Sequence, residues 1–202
     1  MLAFQLQASA QWDTAGLCLP NLKAGPVVTS TSLMAAGGLF TFNPLLHSAA
    51  VSVRDEIVYL DLPKLYFDDY AQYLPAAALP TLKLCGLESR HPFGRMLLLE
   101  GGSYLLGAGW VNALKYGLGI LRPDGGAYNS FPSGHTFVAF TGAELIRREY
   151  GEEYPWMAVA GYTLATAVAL MRIYHNRHWV GDVLAGAGIG IMSVTLVYWA
   201  LD

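Results

Sequence analysis

Charge is scarce in this chain of 202 residues. Asp, Glu, Lys and Arg make up 13% of it, about half the usual share. With 54% hydrophobic residues, that excludes a disordered chain, which needs low hydrophobicity and high charge. The 12 Lys and Arg face 15 Asp and Glu and form no basic stripe, so no nucleic-acid partner is expected. Cysteine is nearly absent. Cys18 and Cys85 permit at most one disulfide and match no zinc-site spacing. Sustained period-two alternation is missing, so strands are not expected, and there is no internal repeat or low-complexity stretch.

What the sequence does have is a succession of apolar segments at residues 26–53, 71–87, 96–114, 132–146, 154–171 and 183–201. The first is interrupted by Asn43-Pro44, the second by Pro75, Pro80 and Lys83, and the third by Glu100. The last two come closest to the roughly 20 apolar residues that cross a bilayer. The fold expectation is all-α, a bundle of about six helices integral to a membrane. Residues 1–10, ending in Ala8-Ser9-Ala10, carry the small-x-small pattern of a signal-peptidase site. The expected layout is therefore an N-terminal segment over 1–27, with a signal remnant at 1–10 and a linker, followed by a helical domain over 28–202.

Loops 88–95 and 147–153 hold Arg90, Arg95, Arg147 and Arg148. In an up-down array they share one face, which the positive-inside rule makes cytoplasmic. Segments 54–70, 122–131 and 173–177 fall on the opposite, outward face. A cleaved signal leaves the N-terminus outside, whereas six full spans need it inside. Either the signal is not cleaved, or residues 26–53 do not span, or the whole bundle is soluble and exported.

Three polar islands stand out. Lys115 and Arg122 are seven apart, which on a helix places them on one face two turns apart, with Pro123 stopping the helix. Pro132-Ser133-Gly134-His135 is a turn opening into a helix. Ser133 is placed to cap that helix, Gly134 lets a ligand approach the backbone, and the free amides at the helix start attract an anion. His178 and Asp182 are four apart, so on a helix an acid fixes the imidazole tautomer. The ends of alternating helices bring Lys115, Arg122, Ser133, His135, Arg172, His178 and Asp182 to one side. Three cations with helix-start amides suit a phosphate dianion, and two histidines supply a nucleophile and a proton donor.

These islands resemble the motifs of the type 2 phosphatidic acid phosphatase (PAP2) and haloperoxidase superfamily. Lys115 to Arg122-Pro123 matches Lys, six residues, Arg-Pro. Pro132 to His135 matches Pro-Ser-Gly-His. Arg172, His178 and Asp182 match the third motif, except that Met171 stands where Ser is usual. The resemblance implies that His178 attacks phosphorus to form a phosphohistidine and that Asp182 orients it. It implies that His135 protonates the leaving group and then activates water. Lys115, Arg122, Arg172, Ser133 and Gly134 would bind the phosphoryl oxygens. No metal or other cofactor is expected, and no obligatory protein partner. The function expected is hydrolysis of a lipid phosphate or diphosphate at the outer, periplasmic face of a bacterial envelope membrane. The alternatives are a soluble exported acid phosphatase, a vanadate-dependent haloperoxidase and a non-catalytic lipid-binding protein. His175 and Arg177 are expected in a solvated loop, and His47 and His91 to be structural or exposed. Glu100 has no account, and Trp110, Trp156, Trp179 and Trp199 suit an interfacial belt or the core.

Overall fold

The computed structural model describes residues 24–60 and 66–202. The expected signal remnant and Cys18 lie outside the described residues. Among the described residues there are eight helices and no strand: α1 (Ala24–Phe42), α2 (Pro44–Tyr59), α3 (Asp68–Ala71), α4 (Leu74–Leu84), α5 (Phe93–Leu118), α6 (Gly134–Tyr150), α7 (Pro155–Tyr174) and α8 (Val180–Leu201). Helix α1 starts at Ala24, inside the stretch expected as linker.

Six of these helices (α1, α4, α5, α6, α7 and α8) run through the bundle in alternating directions. The two beyond the expected six are α2, because residues 26–53 form two helices, and the short α3. Asn43 ends the first and caps the second, its side chain accepting hydrogen bonds from the amides of Leu45 and Leu46, while Pro44 occupies the first turn. Proline suits that position because its missing N–H is unused there. Helix α2 then lies across one end of the bundle, where His47 packs on Trp179 and Arg54 Nη1 donates to Asn176 Oδ1 at 2.8 Å.

Helix α8 is the central element. It is apolar throughout, and its residues from Gly181 to Val194 are almost all buried. Glycines let its backbone touch its neighbours. A Cβ on Gly188 would lie 2.7 Å from Ser30 O of α1, and one on Gly186 would lie 2.5 Å from Ser133 O just before α6. Such close approach is the packing mode of small residues between apolar helices. Around α8, buried Leu79, Met96, Leu99, Leu145, Tyr150 and Val194 form the largest core cluster. Helices α7 and α8 are long and apolar enough to cross a membrane, and large apolar side chains such as Leu105, Val159 and Trp156 face outward.

The two arginine-bearing loops do share one end. Arg90 N donates to Glu149 O at 2.9 Å, and His91 bridges Glu149 and Asp202. His91 is thus structural. Glu144, buried inside the bundle, accepts from Arg147, Arg148 and Tyr162. At the other end, Arg177 pairs with Asp124 and Trp179 Nε1 donates to Leu121 O. Helix α1 runs antiparallel to α8, so Ala24 lies at the end of the arginine loops. Cys85 is exposed just past α4.

Candidate active site

The end of the bundle capped by α2 gathers all three polar islands. Each is placed by a helix terminus. Helix α5 stops at Leu118 because Gly119 adopts the left-handed conformation (φ 57) and donates to Lys115 O, a conformation in which glycine lacks the Cβ penalty. Arg122 is therefore not on the helix face shared with Lys115, as the seven-residue spacing suggested. It sits in the following loop, which turns back through Arg122 N to Ala127 O and Ser130 N to Ile120 O. The two cations meet through Asn129 instead. Its carbonyl accepts from Lys115 Nζ at 2.8 Å and its side-chain Oδ1 accepts from Arg122 Nε at 2.8 Å. Lys115 Nζ also donates to Pro132 O at 2.7 Å, tying the end of α5 to the start of α6.

Ser133 caps α6, as its position predicted. Its Oγ accepts from Thr136 N, and its amide donates to Asp182 O at 2.9 Å. Gly134 follows, and a Cβ there would meet Lys115 Cε only at 4.0 Å, so the first turn of α6 stays open toward Lys115. His135 is half-buried in that turn, and its Nε2 lies 2.9 Å from Asp69 Oδ1.

His178 precedes α8 rather than sharing a helix with Asp182. The two still meet, because Asp182 reaches back as the third helical residue. Its Oδ2 accepts from Trp179 N at 2.8 Å and from Ser130 Oγ, and it lies 3.3 Å from His178 Nδ1. His178 and Asp182 are both fully buried. Burial disfavours the imidazolium, Asp182 opposes that, and Lys115 and Arg172 add to it, so the His178 pKa is pushed down to about 4. Its Nδ1 faces Asp182, which leaves Nε2 for chemistry.

Arg172 is buried near the end of α7. Its Nη1 donates to Asp68 Oδ2 at 2.7 Å and to Asp69 Oδ1 at 3.0 Å. Asp69 thus lies between Arg172 and His135. Burial raises its carboxyl, but His135 and Arg172 together hold it below the usual carboxylate range.

All eight residues singled out in the sequence lie at this end. Four others join them. Asn129 carried no signal, and Ser130 only its place two residues before Pro132. Asp68 and Asp69 stood in a stretch rich in carboxylates; Asp68 is fully buried, which no local pattern marks. His175 corrects the expectation of a solvated loop. Its side chain is 2% exposed, with Nδ1 at 3.3 Å from Asp68 Oδ1 and the Tyr66 ring lying against it. Arg177 remains partly exposed.

Comparison with known proteins places the chain in a family. The PAP2 superfamily model matches residues 96–202. A lipid A 1-phosphatase of Porphyromonas gingivalis is 46% identical over 136 residues, 67% of this chain, and the chain spans 31% of that relative's length. Among solved structures, LpxE of Aquifex aeolicus superposes with a TM-score of 0.59 at 23% identity, over 73% of this chain and 93% of that one. A transmembrane PAP2-type phosphatidylglycerolphosphate phosphatase of Bacillus subtilis gives 0.54 at 18% identity, over 86% and 94%. The latter two are likenesses of fold. With the family model covering more than half of its length, this chain belongs to the PAP2 superfamily.

Proposed function

We propose that the chain is a metal-independent phosphatase that hydrolyses a lipid phosphate or diphosphate monoester. The observation that carries this reading is the buried His178, with Nδ1 3.3 Å from Asp182 Oδ2 and the cations Lys115, Arg122 and Arg172 gathered at the same end. An anion-binding module has no use for a neutral imidazole backed by a buried acid. A nucleophile does, because the acid fixes the ring and stabilises the charge that appears on it.

In the proposed reaction the ester phosphate lies on Lys115, Arg122, Arg172, Ser133 and Gly134. His178 Nε2 attacks phosphorus in line as the P–O bond to the leaving group breaks. His135 gives its proton to the departing oxygen. A phosphohistidine results. Water, its proton taken by His135, then attacks phosphorus, the P–N bond breaks, and phosphate leaves. The cations supply the charge stabilisation that phosphoryl transfer demands. The identity with a lipid A 1-phosphatase supports a lipid substrate. The span-length helices α7 and α8 and the outward apolar side chains support an integral membrane protein. The arginine loops gathered at the far end support an active site on the periplasmic side of a bacterial envelope membrane.

Phosphate release from lipid phosphates and from a soluble aryl phosphate, with EDTA present, tests this on wild type and His178→Ala. Release that resists EDTA and is abolished by the substitution is the expected result. Release that requires a metal or survives without His178 overturns the mechanism. Faster turnover of the aryl phosphate than of every lipid favours a soluble-substrate acid phosphatase.

A further inference from the structure

We propose that Arg54 of α2, which lies outside the three sequence motifs, positions the nucleophile, and that its hold on Asn176 speeds the chemical step. This rests on the phosphatase reading above and adds a positioning residue to it. One guanidinium reaches both sides of His178. Arg54 Nη1 donates to Asn176 Oδ1 at 2.8 Å, and Asn176 lies two residues before His178. The same guanidinium lies 5.2 Å from the centroid of the Trp179 ring, a cation–π distance, and Trp179 directly follows His178.

The loop between Arg172 and His178 is closed on itself. His175 N donates to Met171 O at 2.8 Å, Asn176 takes the left-handed conformation (φ 57), and Arg177 N donates to Arg172 O at 3.0 Å. Glycine is the usual residue in that conformation at a helix end, with asparagine second. Asparagine adds what glycine lacks, a side chain for another element to grip. The backbone thus passes from a phosphate-binding arginine to the nucleophile through one turn that Arg54 holds. His178 itself meets Asp182 at 3.3 Å, beyond the usual range for an N–H···O bond, so the direction of its ring depends on the backbone at either side. Trp179 secures the far side. Its amide donates to Asp182 Oδ2 at 2.8 Å, its Nε1 donates to Leu121 O at 2.9 Å, and His47 of α2 meets its ring edge-on at 5.1 Å.

Stability does not account for Arg54. Its Nη2 pairs with the exposed Asp55 at 2.7 Å, and its Nε is buried with no hydrogen-bond partner among the described residues. Leaving a buried donor unpaired is costly, and an apolar side chain would cover Trp179 without that cost. What an apolar side chain does not supply is a donor to Asn176. Lysine supplies a donor, but not the planar face that stacks on Trp179 at the same time.

The test uses the full chain in detergent micelles and compares wild type with Arg54→Met, Asn176→Gly and the two combined. Phosphate release from phosphatidate and from a soluble aryl phosphate gives kcat and KM, inorganic phosphate serves as inhibitor, and thermal unfolding follows the fold. Asn176→Gly suits φ 57 and removes only the side chain that Arg54 grips, so it is expected to fold. Each single variant is expected to lower kcat about tenfold, the effect of displacing a reacting atom by a fraction of an ångström. KM and inhibition by phosphate are expected to stay within about twofold of wild type, because Lys115, Arg122 and Arg172 are unchanged. The combined variant is expected to match Arg54→Met within about twofold, because both changes remove the same contact. A kcat within about twofold of wild type in either single variant, losses that multiply to about a hundredfold in the combined one, or KM and phosphate inhibition that shift as far as kcat, overturn the positioning role and leave the phosphatase standing. A wild type that releases phosphate from neither ester overturns both readings.

Discussion

Asp182→Asn removes a charge from the centre of the site while keeping its shape. Three donors converge on one carboxylate oxygen, from His178, Trp179 and Ser130, and the other oxygen has no hydrogen-bond partner. An amide can place its carbonyl on the crowded side and its NH2 on the empty one, so the variant is expected to fold. What it loses is the attraction between a full negative charge and the positive charge that grows on His178 during attack. At 3.3 Å and an effective dielectric of about 20, a full unit charge is worth roughly 5 kcal/mol. A ring carrying about half a charge in the transition state loses roughly 2.5 kcal/mol, or about 70-fold in rate at 1.36 kcal/mol per decade. The ester is held by other side chains, so KM is expected to stay within about threefold. Single-turnover phosphate release in detergent micelles reads the chemical step, and thermal unfolding checks the fold. A rate within about fivefold of wild type would refute the electrostatic argument. So would a loss as complete as that of His178→Ala, because it would make Asp182 indispensable for something other than charge.

Three further expectations concern neighbouring parts. Gly186→Ala puts a Cβ 2.5 Å from Ser133 O, so it is expected to lower the unfolding temperature by the worth of about 1–3 kcal/mol of overpacking and to cut activity. Gly101→Ala, which meets nothing within 4 Å, is its control. Asn129→Ala removes the side-chain acceptor of Arg122 and is expected to lower kcat/KM by about tenfold, the scale of one hydrogen bond to a charged group, with unfolding unchanged. In the pH profile, protonation of His178 removes the nucleophile, so its activity is present above its pKa and is lost as pH falls through about 4. That step lies below the ionisation of the phosphate monoester near pH ~6. An NMR titration that places protonation of the His178 ring near pH 6.5 would contradict the lowered pKa.

The helices were legible because apolar runs between polar loops dictate them in any apolar bundle, and the breaks at Asn43-Pro44 and Ser133 are chemical signals in the chain itself. The eight site residues were legible because fixed spacing carried them. How they meet was not. Spacing placed Lys115 and Arg122 on one helix, but Gly119 ends that helix first, and contact is restored by Asn129 from the returning loop. His178 and Asp182 suggested one helical face, and the contact survives through a helix-start reach instead. Asp68, Asp69 and His175 stayed hidden because their burial depends on where α2 and α3 fold, which is decided by contacts more than a hundred residues apart in sequence, such as Arg172 with Asp68.

Asp69 gives the resting site its own counter-ion. An ester that takes hold of Arg172 and His135 meets a carboxylate already there, so binding becomes an exchange of one anion for another. Only the difference between the two drives it. A phosphate monoester near neutral pH brings close to two negative charges and outcompetes a single carboxylate. A phosphodiester, the linkage of bulk membrane phospholipids, brings one charge and gains nothing by the exchange. A short helix with an acid in the right place can thereby keep a lipid-embedded site from being occupied by the bilayer around it.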